Sequence, residues 1–264
     1  MAINSDGHIA GDLLYENPFV YRNGSMEVVD LPEGFKFSNL AGLSDLGHLL
    51  VLGHYFTGGR YIRNTVVRQP DGTWVKLTPW TDRADAETNG LAISRQGSIV
   101  VGSHSTFGLS GSKAMVWRSN VPKPVPGTKD DRSSLALAIN DRGDIAGVHD
   151  VNSTGSCCEK RPFLVVEGVL TDLPDLGVSY WWVTGLDNLG RVVGFYFSYP
   201  NNRAFLYQDG QTMMLDDLVE PAQQGQWQIL EAHAINDAGE IAAQGRSTAT
   251  GVARALKLVP VTAR

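Results

Sequence analysis

The sequence predicts an all-β fold: a six-bladed β-propeller with four antiparallel strands per blade and a last blade that lacks its outer strand. Three observations carry that expectation. A ten-residue phrase recurs along the chain, as Ala2-Ile3-Asn4-Ser5-Asp6-Gly7-His8-Ile9-Ala10-Gly11, as Ala138 to Gly147 and as Ala234 to Ala243. Weaker copies run through Ser44-Asp45-Leu46-Gly47, Ser94-Arg95-Gln96-Gly97 and Asp187-Asn188-Leu189-Gly190, so the turn glycines are spaced by 40, 50, 46, 47 and 49 residues. Self-similarity at such a period signals stacked supersecondary units, for which propeller blades are the usual all-β solution. Finally, 29 Gly and 12 Pro lie between short apolar runs, as expected for many short strands joined by tight turns.

Each repeat divides into four apolar stretches. In the fourth, Leu135 to Ile139 alternates and ends in Asn140-Asp141-Arg142-Gly143, a tight turn with glycine where positive φ is needed. Ile145 to His149 forms the second strand. The loop Asp150 to Lys160 leads to the third, Pro162-Phe163-Leu164-Val165-Val166, and Glu167-Gly168 turns into the fourth, Val169 to Leu173. The third strand recurs as Pro18 to Tyr21, Thr65 to Arg68, Ala114 to Trp117, Ala204 to Tyr207 and Ala255 to Leu258. These units place the blades at about residues 1–34, 35–81, 82–127, 128–176, 177–219 and 220–264 of a single propeller domain.

The ends carry an expectation of their own. The first blade has only Ala2-Ile3 of its inner strand, and the last stops after its third strand at Leu258-Val259-Pro260. The start reads as a cut inside a longer repeat protein. The last blade is expected to keep an open edge, blunted by Pro260 or paired in a dimer.

Composition narrows the partners. A net charge of −6 argues against nucleic acid or an anionic membrane surface as a partner, since both need a basic face. No run approaches the roughly 18 apolar residues of a membrane helix, and no signal peptide precedes the first repeat. The two cysteines, Cys157 and Cys158, are adjacent. They close at most a small strained ring and cannot staple the fold, so they read as loop thiols, with a redox or metal role as the alternative.

The phrase Ala-Ile-Asn-Asp-x-Gly-x-Ile-x-Gly, followed by x-Ala-Phe-Leu-Tyr-x-x-Gly as at Arg203 to Gly210, resembles the HAF repeat of bacterial, often exported, proteins. The name-giving His-Ala-Phe is degraded here to Arg203-Ala204-Phe205 and Arg161-Pro162-Phe163. The resemblance covers nearly the whole chain. It implies a propeller-like repeat fold and an extracytoplasmic or secreted native form, with no common activity.

Two sets of residues are candidates for chemistry. His104 and His149 fall two residues after Gly102 and Gly147, and Tyr55 and Tyr196 share that register beside Gly53 and Gly194. Imidazoles from neighbouring blades can hold a divalent ion, or one can act as general base; repeat degeneracy at loop margins is the plain alternative. Counting back from the hairpin turns places Asn39, Asn89, Leu135, Trp182 and Glu231 in one inner-strand register, with His233 two residues after Glu231. Two amide oxygens and a carboxylate at a channel mouth suit Ca²⁺ or another divalent ion; no organic cofactor is expected. This placement is similar to six-bladed propeller lactonases and phosphotriesterases of the paraoxonase and regucalcin type. That resemblance implies a metal polarising a carbonyl or phosphoryl oxygen.

The aromatic residues Trp80, Tyr180, Trp181, Trp182 and Trp227 fall in between-blade segments on the same face, where they either stack on a ligand or fill the gaps between blades. There is no Gly-x-Ser-x-Gly elbow, P-loop, dinucleotide motif or His-Glu-x-x-His helix. Two functions remain. One is a metal-assisted hydrolase of small esters, lactones or phosphotriesters, with Asn39, Asn89 and Glu231 on the ion, His104, His149 and His233 as bases, and Tyr55, Tyr180, Trp181, Trp182, Tyr196 and Trp227 as the substrate wall. The other is a non-catalytic propeller that recognises a glycan or protein partner.

Overall fold

The computed structural model describes residues 1–13, 17–106, 111–129, 132–151, 159–197 and 199–261, without the side chains of residues 37 and 38. Cys157 and Cys158 lie outside the described residues.

Alternating apolar residues and glycine turns fold locally into six consecutive antiparallel sheets, the blades of a six-bladed β-propeller. Blade one holds β1 (Ala2–Ile3), β2 (Ile9–Asp12), β3 (Pro18–Arg22) and β4 (Ser25–Val28). Blade two holds β5 (Phe35–Leu43), β6 (Leu49–Thr57), β7 (Arg60–Arg68) and β8 (Trp74–Lys76). Blade three holds β9 (Ala86–Ile93), β10 (Ile99–Thr106), β11 (Lys113–Arg118) and β12 (Val121–Pro124). Blade four holds β13 (Ser134–Ile139), β14 (Ile145–Asp150), β15 (Lys160–Val166) and β16 (Val169–Asp172). Blade five holds β17 (Trp181–Leu186), β18 (Val192–Tyr196), β19 (Arg203–Gln208) and β20 (Gln211–Met214). Blade six holds β21 (Trp227–Ile235), β22 (Ile241–Ser247) and β23 (Ala253–Leu258), three strands among the described residues, as the sequence predicts. Among the described residues, no helix is long and apolar enough to cross a membrane.

The chain packs as two compact units, Met1–Ala136 and Leu137–Arg264, with β13 spanning the division. In the first unit, Val29, Phe35, Leu40 and Val51 pack blade one on blade two, and Leu50, Leu77, Val100 and Trp117 pack blade two on blade three. In the second, Val193, Leu215, Ile229 and Ala243 join blades five and six.

The recurring phrase is turn chemistry. The hairpin glycines Gly7, Gly47, Gly97, Gly143, Gly190 and Gly239 all adopt φ between +74° and +87°, which favours glycine. The Asn, Asp or Ser three residues earlier caps the turn. Asn140 Oδ1 accepts from the amides of Arg142 (3.1 Å) and Asp144 (2.9 Å), and Asp187 Oδ1 accepts from Leu189 and Arg191 (2.9 Å each). In two of these turns the capping side chain, and in a third its neighbour, ties the turn to the next blade. Asn4 Nδ2 donates to Ser44 O (3.3 Å), Asn140 Nδ2 to Asp187 O (2.9 Å), and Asn188 Nδ2 to the Asp237 carboxylate (2.8 Å). One residue therefore serves as both turn cap and inter-blade bond, a physical reason for its recurrence.

A second recurrent device was not expected from the sequence. In β5, β9, β17 and β21 one equivalent residue of the inner strand, Ala41, Leu91, Thr184 or His233, has no opposite number, and β5 and β21 carry a second unmatched residue each, Phe37 and Leu230. This repeated β-bulge tips the backbone just before it. The carbonyl of Asn89 is pressed toward Gly102 and that of Trp182 toward Gly194, where a Cβ would sit 1.8 Å and 2.0 Å from the oxygen. Close approach of the backbone, rather than positive φ, explains these two glycines.

Candidate functional site

Cross-strand pairing supports the register counted from the sequence. Asn39, Asn89, Trp182 and Glu231 pair with Leu52, Ser103, Phe195 and Gln244, equivalent positions of the second strand once the one-residue-longer hairpin of blade three is allowed for. Asn39 and Asn89 belong to the first unit and Glu231 to the second.

In the first unit Asn39 is exposed, while Asn89 is buried and its Oδ1 accepts from Arg63 Nη1 at 3.4 Å. His104 is 7 % exposed, and its Nδ1 donates to the Glu87 carbonyl at 3.1 Å. Burial holds this imidazole below its ordinary pKa, against a smaller upward pull from Glu87. The Glu87 carboxylate accepts from Ser105 Oγ (3.0 Å) and from the Arg63 amide (3.3 Å). His54 is also lowered, first by burial and then by the Arg63 charge. Arg63, Glu87, Asn89 and His104 thus form one polar cluster between blades two and three, in which Arg63 and Glu87 were not singled out from the sequence. Tyr55 stands apart from it, edge-on to Phe35 (4.8 Å between centroids), with the Lys76 ammonium 4.8 Å over its face and its hydroxyl pKa raised by burial.

In the second unit His149 is buried and donates from Nε2 to Asp172 Oδ1 at 2.9 Å. It thereby reaches over β15 toward the outer strand of its own blade. Trp181 is 1 % exposed, packs on Tyr196 and Phe205 (5.7 and 5.0 Å between centroids), and donates its indole N–H to Val178 O. Tyr196 and Trp227 are half-buried.

The remaining candidates gather around one loop. Glu231 Oε1 accepts from Asn202 Nδ2 at 2.6 Å, and its Oε2 lies 3.7 Å from Nε2 of His233, half-exposed at the bulge. Asn201 Oδ1 accepts from Arg246 Nη1 at 2.9 Å. Phe197 begins the same loop, 49 % exposed, edge-on to Tyr180 (5.0 Å) and to Phe195 (5.3 Å), which is cross-strand from Trp182. Tyr199 is fully exposed. Phe197 and Tyr199 therefore supply aromatic faces, and Asn201 and Asn202 two oriented amides, ahead of β19. The sequence signal was present in Phe195 and Phe197 flanking Tyr196, and in the Asn-Asn pair before β19, but neither repeats between blades.

Asn39, Asn89 and Glu231, the residues expected to hold a divalent ion, are divided between the two units. Asn89 Oδ1 faces a guanidinium, which repels a second cation. Among the described residues, no three His, Cys, Asp or Glu side chains gather at metal-ligating distances.

No family model and no curated protein matches this chain. Similar folds occur among solved structures. A prolyl endopeptidase structure is 12 % identical with a TM-score of 0.60, covering 98 % of this chain and 42 % of its own. An acylaminoacyl peptidase of Pyrococcus horikoshii is 13 % identical with a TM-score of 0.62, covering 97 % and 43 %. Dipeptidyl peptidase 4 of Porphyromonas gingivalis is 13 % identical with a TM-score of 0.53, covering 96 % and 44 %. This chain spans less than half the length of each. At these identities the shared feature is the fold, and the propeller is the conclusion that the comparisons carry.

Proposed function

We propose that this chain is a binding propeller that recognises a glycan through Phe197, residues 199–202 and the strands beside them. The observation that carries this reading is the pre-set polar frame. Arg246 holds Asn201 and Glu231 holds Asn202, so amide, guanidinium and carboxylate groups are oriented before any ligand arrives. Sugar hydroxyls both donate and accept, and this mixed set answers both needs. Phe197 and Tyr199 add exposed apolar faces on which the C–H side of a pyranose stacks. His104, His149 and Trp181 are engaged in interactions within the fold, which favours binding over chemistry at those positions.

The test is calorimetric titration of the purified protein with a panel of neutral and acidic oligosaccharides. Saturable binding that weakens at least about tenfold in Arg246→Ala and Phe197→Ala supports the reading. Binding indifferent to both substitutions, or no binding across the panel, sinks it.

Hydrolysis keeps one observation in its favour, the Glu231 carboxylate 3.7 Å from the His233 imidazole on an accessible surface. Turnover of chromogenic esters, a lactone or a phosphotriester, lost in Glu231→Gln, would replace the binding reading with this one. Loss on EDTA treatment and rescue by a divalent ion would restore the metal-assisted form.

A further inference from the structure

The five four-stranded blades share a feature that the sixth lacks among the described residues. Immediately after the fourth strand comes one fully buried aliphatic residue: Val29, Leu77, Val125, Leu173 and Leu215, each at most 3 % exposed. In four of these blades its amide donates to the first carbonyl of the third-strand ladder. The pairs are Val29 to Pro18, Leu77 to Thr65, Val125 to Ala114 and Leu173 to Pro162, at 2.8–2.9 Å. The fourth strand is thus fastened at its end by one side chain in the core and one backbone bond.

Register identifies the matching place in blade six. Pro18, Thr65, Ala114, Pro162 and Ala204 pair with equivalent residues of their second strands, and Ala255 occupies that position opposite Gln244. The first five are buried under their blade's outer segment, whereas Ala255 is exposed. Among the described residues β23 has no strand on its outer side. Alternation along the ladder points the amide and carbonyl groups of Ala255 and Lys257 outward.

We propose that this edge is a docking site for an extended peptide segment, about four residues of strand ending in Val or Leu, supplied by a partner and paired antiparallel to β23. The five other blades show what covers such a place. Main-chain bonds give the affinity and the terminal aliphatic side chain gives the specificity. The edge also carries a charge preference. β23 holds Arg254 and Lys257 and no acidic residue, with Lys257 Nζ already 2.7 Å from Glu240 Oε1, so Arg254 carries most of the preference. Antiparallel pairing with a second copy brings these cations opposite or diagonal to one another, which is unfavourable. An acidic residue near the end of the incoming strand is suited to the site, as Glu27 and Asp172 are in the chain's own fourth strands.

The probe is a fluorescein-labelled synthetic peptide with the sequence of residues 168–174, Gly-Val-Leu-Thr-Asp-Leu-Pro, titrated with the whole protein and followed by anisotropy and amide hydrogen exchange. Saturable binding with slowed exchange at Lys257 is expected. Replacing the final Leu by Asp, or N-methylating its amide, should each weaken binding at least about tenfold. Equal affinity of the three peptides, or no binding at about 1 mM, overturns the proposal. Protection of Lys257 in the protein alone, growing with protein concentration, overturns it in favour of self-association.

Discussion

His149 Nε2 donates to Asp172 Oδ1 at 2.9 Å, joining the second strand of blade four to its fourth across the intervening β15. An imidazole spent in this way braces the outer strand. Asp172→Asn or His149→Gln is expected to cost about 0.5–1 kcal/mol, since Asp172 is partly solvated, and to lower Tm by a few degrees without affecting ligand affinity. Thermal denaturation and the oligosaccharide titration, run on the same variants, check both halves of this expectation.

The two glycines beneath the inner-strand bulge make a stability prediction. A methyl group at Gly194 would lie 2.0 Å from the Trp182 carbonyl oxygen, and one at Gly102 would lie 1.8 Å from that of Asn89. Because backbone must move in each case, Gly194→Ala and Gly102→Ala should each cost about 2–4 kcal/mol. Urea unfolding midpoints that match the parent protein would contradict the bulge geometry.

Acid sensitivity follows from three histidines. His48, His54 and His104 all sit below the ordinary value, and burial is the largest cause in each. A depressed folded-state pKa means that the unfolded chain takes up the proton first. Their contribution to stability is therefore full above the ordinary value of about 6.5 and is lost as pH falls through it toward the lower folded values. Tm should decline between pH 7 and 5, and His104→Gln should flatten part of that decline. A His104→Gln profile with the parent's slope would argue against a role for this residue.

Trp181 and Phe197 separate core from surface. Trp181→Ala removes a fully buried indole and should cost about 3–5 kcal/mol, whereas Phe197→Ala should leave Tm within about 2 °C. On the binding reading, Phe197→Ala loses affinity in a protein that is still folded. Circular dichroism melts alongside calorimetry distinguish the two effects.

Metal removal provides a further comparison. With Asn89 turned to Arg63 and Glu231 to Asn202, EDTA is expected to leave Tm and ligand affinity unchanged. A fall in Tm on chelation, reversed by Ca²⁺, would return the divalent ion to consideration.

The repeat made the architecture legible because it encodes a local requirement. Asn140, Asp187 and their equivalents recur with a positive-φ glycine three residues later, and that chemistry is complete within one hairpin, so period and strand count follow from the chain alone. The three-strand count of blade six among the described residues was legible in the same way, from its turns and apolar runs.

Tertiary structure decided everything that depends on which atom a side chain meets. Identical register did not give Asn89 and Glu231 identical surroundings, because one faces a guanidinium from β7 and the other an amide from the loop before β19. His104 and His149, equivalent by count, bond in one case to a main-chain carbonyl and in the other to an outer-strand carboxylate. The bulge that sets His233 apart leaves no compositional trace, since Ala41, Leu91 and Thr184 occupy the same position. Backbone turns are short-range and are written into adjacent residues. Site chemistry arises between residues distant in sequence, here 26 and 29 positions apart for Arg63 with Asn89 and Asn202 with Glu231, and it exists only once the blades have packed.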